Sequence, residues 1–358
     1  MRTRRSFMKK TAAAGIAGIV ASGSSPVYAR DMKKLKIGVL GLGSHGFAAR
    51  FKNPPKDYPK EVKAIPYGVW DDYPGVAKFM KGDTYEKVYK DPVKLARECD
   101  CIHIEHADYR KPLELARPGL EMGKPTFINR PYVAKIGHAE EIVRLAKKYD
   151  APLMCASSLE FGGEVYEMQK FMKEKGPIRA YEAYGPEAHF TWHLPHVINY
   201  AHAALGGGIE SVYFTGHFGI DMRKWRIEKQ KIGSTLCVLT YKPRNGEPPI
   251  IGMCHIGNYP GKFHIDVYTA KENKDFPLTG NWSQNMFYKI NELYSFRTIP
   301  RPYEAILEQH RVLVAANVSR KTGRAVKLDS LGGEDTLPYS DAIRWYVMRR
   351  FLESKDKG

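Results

Sequence analysis

What the chain lacks narrows it first. No apolar run reaches the ~20 residues that a membrane-spanning helix requires, so a helical membrane protein is excluded. Cysteine is scarce. The five, Cys99, Cys101, Cys155, Cys237 and Cys254, are odd in number and fit neither a disulfide framework nor a zinc knuckle. Cys101 and Cys155 lie in apolar runs and read as buried strand residues. Internal repeats and low-complexity tracts are missing. Acidic residues are in deficit, 39 against 56 Lys and Arg, for a net charge of +17. Such a surface favours acidic substrates or polyanions. The basic residues are scattered, without a stripe of aromatics between them, so nucleic acid is not an expected partner. What remains is a globular chain of 358 residues, 43% hydrophobic, ample for two domains.

The N-terminus carries Thr3-Arg4-Arg5-Ser6-Phe7-Met8-Lys9, a twin-arginine export motif, followed by a weakly apolar stretch rich in Ala and Gly. Val27-Tyr28-Ala29 has the small residue expected before a cleavage site, so residues 1–29 read as a signal and Arg30 as the mature start. The signal holds five of the basic residues and no acid, leaving +12 for the rest. Twin-arginine export carries folded proteins, so a nucleotide can be loaded beforehand and kept. The expected location is the periplasm.

Behind the signal, strands and helices alternate: strand Leu35–Leu40, helix Phe47–Phe51, strand Val62–Trp70, helix Pro92–Glu98 and strand Cys101–Ile104. Helix Pro112–Met122, strand Thr126–Ile128, helix Ala139–Tyr149 and strand Pro152–Ala156 complete the series. The order implies βαβ units and a parallel, doubly wound sheet over residues 30–156. Between the first strand and helix stands Gly41-Leu42-Gly43-Ser44-His45-Gly46, a G-x-G-x-x-G dinucleotide fingerprint. Gly41 allows the tight turn, Gly43 the approach of a pyrophosphate, and Gly46 the packing of helix on strand. Free N–H groups around Ser44 and His45 then face the phosphates. Asp71 and Asp72 end the second strand, where an acid accepts hydrogen bonds from the adenosine ribose. Their paired charge would repel a 2′-phosphate, favouring NAD over NADP.

With Gly123-Lys124-Pro125 before a strand and the triplet Asn129-Arg130-Pro131 after it, the chain resembles the Gfo/Idh/MocA family. These are NAD(P)-dependent oxidoreductases acting mostly on sugars, cyclitols and related polyols. Ile178–Tyr184 is similar to the family's crossover into its second domain, and Tyr303–Arg320 with Arg324–Leu328 to its closing helix and final strand. The resemblance implies a second α+β domain over residues 157–330, an open and mostly antiparallel sheet with helices on one face. Its outer face would form the contacts of a homodimer or homotetramer. Residues 331–358 form a C-terminal segment with a final helix.

The resemblance also assigns the site. Asn129 and Arg130 replace the family's Glu-Lys, and the lysine normally helps move the proton that accompanies hydride transfer. Arg130 donates hydrogen bonds but does not serve as a base, so another group must. His196, followed by Asn199, matches the helix lining the family's pocket, and His193 stands one turn earlier; His196, Arg130 and His193 are the expected catalytic residues. Glu105-His106-Ala107-Asp108 replaces Thr-Pro-Asn after the third long strand and should edge the nicotinamide pocket, with Glu105 or His106 as a substitute base. Glu160, Tyr184, His189, Trp192, Asn199 and Tyr200 are the expected substrate-binding residues. His189, His193 and Glu187 or Glu105 could instead hold a divalent metal, though no metal is the preferred reading. The implied function is oxidation of a sugar or glycoside hydroxyl by tightly bound NAD. Two alternatives stay open: redox-neutral glycoside cleavage, and a non-catalytic auxiliary carbohydrate binder.

Overall fold

The computed structural model describes residues 34–42, 46–55, 61–186, 189–219, 233–244, 246–257 and 261–339, together with Arg344, Arg349 and Glu353. The export signal, the centre of the glycine loop at Gly43, Ser44 and His45, Glu187, and nearly all of the expected final helix lie outside the described residues.

Six strands form the first sheet: β1 (Leu35–Leu40), β2 (Ala64–Trp70), β3 (Lys87–Val88), β4 (Cys101–Ile104), β5 (Thr126–Asn129) and β6 (Leu153–Ala156). They pair in parallel in the order β3-β2-β1-β4-β5-β6, so the chain reverses direction of travel between β1 and β4. Ligands to doubly wound sheets gather at that switch point, outside the carboxyl ends of the strands. β4 and β6 are buried along their whole length, because helices cover both faces. α2 (Pro92–Glu98), α3 (Pro112–Glu121) and α4 (Ile136–Lys148) pack Leu95, Leu115, Leu120, Ile142 and Leu145 on one side. The other side is covered by Phe47 and Phe51 together with Phe287, Ile290 and Leu293 of α7 (Trp282–Phe296), a helix from far along the chain.

Two elements of this half escape the pattern of the sequence. α1 (Pro74–Lys81) begins at a proline in its first turn and buries only Val76 and Ala77, too few apolar positions to reveal a period. The segment after the glycine loop forms a 3-10 helix, Phe47–Lys52, without a side-chain cap on Gly46 and with Pro54-Pro55 close behind.

α5 (Gly163–Lys175) leads into the second sheet, built from β7 (Ile178–Gly185), β8 (Ile209–Gly216), β9 (Ser234–Tyr241), β10 (Ile251–Gly257), β11 (His264–Thr269), β12 (Asn273–Pro277) and β13 (Val326–Lys327). Its order is β12-β11-β7-β10-β9-β8-β13, with β7 and β10 parallel and the other pairs antiparallel. Burial alternates along β7 and β9, as in a sheet with one face on a core and one open. α6 (Leu194–Leu205) and α8 (Tyr303–Thr322) cover the closed face and are buried through most of their length. No helix among the described residues is long and apolar enough to cross a membrane.

Candidate active site

β1 delivers the chain into Gly41, whose φ of 86° is left-handed backbone. A Cβ there would lie 2.5 Å from His106 Cα, so only glycine lets this turn pass over the loop after β4. Gly46, with φ 58°, opens the 3-10 helix. Glu105 reaches both orphan amides at that helix start: Gly46 N–H and Phe47 N–H donate to its two oxygens at 3.0 Å each. His103 Nε2 lies 2.8 Å from the same carboxylate, and the ring's Nδ1 is 2.9 Å from the Tyr294 hydroxyl on α7. The positive end of the helix attracts the nearest carboxylate, which corrects the expectation of Glu105 as a free base.

At the end of β2, Asp71 accepts from Leu42 N–H at 3.1 Å and from Tyr73 N–H at 3.0 Å. A residue absent from the expected site completes the set. Arg344, in the C-terminal segment, donates to Asp71 at 2.6 Å and to Asp72 at 2.7 Å. Asp72 also accepts from Lys111 at 2.7 Å and contacts His106 Nε2 at 3.0 Å. Asp108 N–H lies 3.1 Å from His106 Nδ1, and Nε2 also meets the Arg344 guanidinium at 2.7 Å. These bonds, that of His106 first, hold the Asp72 carboxyl well below the usual carboxylate range. His106 stacks 6.3 Å from the Trp70 ring and, held between Asp72 and Asp108, is no stand-in base.

Near the ends of β5 and β6 the polar groups are buried. Arg130 Nε donates to His196 Nε2 at 3.0 Å, and His196 Nδ1 lies 2.6 Å from Ser157 Oγ. Nε2 therefore carries the lone pair, and Nδ1–H donates to the serine. Burial pushes the Arg130 guanidinium down to about 10, with the charge of Glu105 opposing, so it stays protonated at neutral pH. Beside Arg130 a cavity of about 10 Å³, lined by Cys155, Pro195, Asn199 and His310, has room for about one water. His310, fully enclosed there, is pushed down to about 4 by desolvation and stays neutral.

Glu160 belongs to the frame around this site. With Ser157 it forms a capping box at the turn after β6: Ser157 N–H donates to Glu160 at 2.7 Å, and Leu159 N–H to Ser157 Oγ at 3.2 Å. Its remaining capacity goes to Asn199 at 2.9 Å, to Gln309 at 3.3 Å and to an ion pair with Arg301. The expectation of Glu160 as a substrate contact is corrected accordingly, since its oxygens are taken by Ser157, Asn199, Gln309 and Arg301; Asn199 gives Glu160 only its amide N–H, and its buried Oδ1 has no partner. The S-x-x-E spacing could have revealed the capping box, and with it Ser157; nothing local points to Arg301.

Other expectations divide. Tyr200 is a core residue, 1% exposed, its hydroxyl on Phe276 O. Tyr184 lies on the open face of the second sheet, stacked between His255 and His264, because strand alternation turns it away from α6. His193 is the N-cap of α6, and helix proper starts at Leu194 with Pro195 in its first turn. His189 is buried, edge-on to Trp192 and His193. These rings line the approach to α6 without a common helical face. Asn129 closes β5 opposite Ala156. Among the described residues, the one trio spaced to hold a metal is His264, Asp266 and Asp275 on the open sheet face, none of them in the expected set. All five cysteines are buried and unbridged.

No family model and no curated protein matches the sequence. The fold does have solved counterparts. A probable dehydrogenase from Thermotoga maritima superposes at a TM-score of 0.66 and 18% identity, covering 83% of this chain and 100% of its own. myo-Inositol dehydrogenase from Lactobacillus casei, solved with NAD(H) and myo-inositol, gives 0.68 at 16%, covering 84% and 98%. An NAD binding oxidoreductase from Klebsiella pneumoniae gives 0.65 at 14%, covering 83% and 99%. The shared architecture is a parallel six-stranded sheet joined to a mixed sheet with helices on one face.

Proposed function

We propose that this chain is an exported oxidoreductase that uses NAD to oxidise a ring hydroxyl of a sugar or glycoside. The observation that carries the reading is the buried Arg130–His196–Ser157 chain near the carboxyl edge of a dinucleotide-type sheet. The solved counterparts support it by fold, one of them with NAD(H) and a polyol bound. The described residues fit the adenosine end of a dinucleotide: the bare Gly41 turn lowers the crest of the loop, and Asp71 ends β2. Glu105 takes the amides of Gly46 and Phe47.

When bound, NAD supplies the acceptor for the hydride leaving the carbinol carbon. The hydroxyl proton goes to His196 Nε2, the basic nitrogen, while Nδ1–H stays on Ser157 and fixes the tautomer. A docking hydroxyl replaces Arg130 as donor to Nε2. That frees Arg130 Nε–H to point at the substrate oxygen and stabilise its developing negative charge. Arg130 is thus a positioning and electrostatic group. His196 is the base.

A non-catalytic carbohydrate-binding role is the second reading, favoured by the small size of the cavity beside Arg130 and by the engagement of Glu105. One preparation separates the two. Nucleotide released from purified protein should absorb as NAD in equimolar amount, and His196→Asn should keep it while losing at least about a hundredfold in turnover on sugars. Protein free of nucleotide and inert with added NAD would sink the oxidoreductase reading.

A further inference from the structure

Arg344 sits where the adenosine ribose would bind. A carboxylate offers about four lone-pair positions, and three on Asp71 are already taken by Leu42 N–H, Tyr73 N–H and the Arg344 guanidinium. A ribose diol needs two. The Asp71 side chain is 0% exposed, and the guanidinium, itself 13% exposed, lies over it. The same guanidinium bridges to Asp72, meets His106 Nε2 at 2.7 Å and rests 4.9 Å from the Tyr73 ring, so with Asp71 four groups hold it. Arg344 comes from 273 residues further along the chain and is no part of the first sheet.

We propose that Arg344 is an internal plug of the nucleotide crevice: its guanidinium competes with the adenosine ribose for Asp71 and must withdraw before a dinucleotide seats. This rests on the functional reading above and goes beyond it, adding a built-in brake on cofactor binding and release. Lys111, which pairs with Asp72 from the far side, stays in place in both states. Once NAD is loaded, the ribose displaces the Arg344 guanidinium; when the crevice empties, Arg344 returns and neutralises two adjacent carboxylates.

The test uses the full chain stripped of nucleotide. ADP-ribose and NAD should bind about tenfold more tightly to Arg344→Ala and Arg344→Gln than to wild type, because the competing state is removed. Nicotinamide mononucleotide, which lacks the adenosine ribose, should bind all three equally. In wild type, saturating ADP-ribose should speed tryptic cleavage after Arg344; this readout needs no variant and so guards against one that misfolds. Equal or weaker ADP-ribose binding by both variants, or protection of the Arg344 site by ADP-ribose, would overturn the plug alone. Absence of ADP-ribose and NAD binding in every protein would overturn the plug and the functional reading together.

Discussion

The two ends of the crevice are built on opposite principles. At the end proposed for adenosine, charges are crowded and balanced: Asp71 and Asp72 face Arg344 and Lys111, and the Asp72 and Lys111 side chains are 24% and 33% exposed. At the proposed reacting end, Arg130, His196, Ser157 and Glu160 are all below 10% exposed, in a sequence of short, directed hydrogen bonds. Water screens Asp72 and Lys111, so their contacts exchange at little cost, while Asp71 lies covered by Arg344. The second set is desolvated, and a broken partner there leaves a buried polar group unsatisfied. Binding and release suit the first; holding one tautomer of one imidazole needs the second.

The contrast is sharpest at Glu160. Glu160→Ala strands Arg301 and the Ser157 amide, and should cost about 3–5 kcal/mol in denaturant unfolding; a loss below ~1 kcal/mol would place Glu160 with the screened charges. His310 gives the next effect. Its folded value of about 4 lies under the ordinary 6.5, so the unfolded chain binds the extra proton between them. Stability contributed by the neutral ring is therefore full above about pH 6.5 and lost as pH falls toward 4, by about 3 kcal/mol. His310→Gln should flatten that part of the stability–pH curve, and an unchanged slope would show that another group titrates there.

Arg130→Lys tests the reacting end more gently. It keeps the charge but loses the fork, and should retain sugar oxidation within about tenfold of wild type, whereas Arg130→Ala should lose more. Equal inactivity of the two would mean that the planar guanidinium itself is required. The smallest effect belongs to Asp72. Its carboxyl is held below the usual range by His106 and Lys111, so its contribution is present above the unfolded value near 3.8 and fades as pH falls below it. Asp72→Asn should remove at most about 1 kcal/mol at neutral pH, and less in high salt. A larger loss insensitive to salt would erase the distinction between the two ends.

Much of the first sheet was readable because βαβ units are local: Leu35–Leu40, Cys101–Ile104 and the glycine turn between strand and helix each follow from a short run of residues. The second sheet's crossover at Ile178 and the closing helix from Tyr303 were likewise legible through resemblance to known sequences. The partners of the site were not. His196 was visible as a titratable residue on an apolar helix, but its bond to Ser157 spans 39 positions and its bond to Arg130 spans 66. Glu160 read as an open acid because Arg301, which neutralises it, lies 141 residues away.

The sequence by itself set which backbone turns were possible and which residues could titrate, since those depend on glycine, proline and side-chain chemistry at single positions. Only the tertiary structure decided which of those groups are spent. Glu105 went to a helix terminus, Asp71 to Arg344 and Tyr184 to the far face of a sheet. Each choice follows from what a buried donor or acceptor finds within about 3 Å, and that is a property of the folded chain.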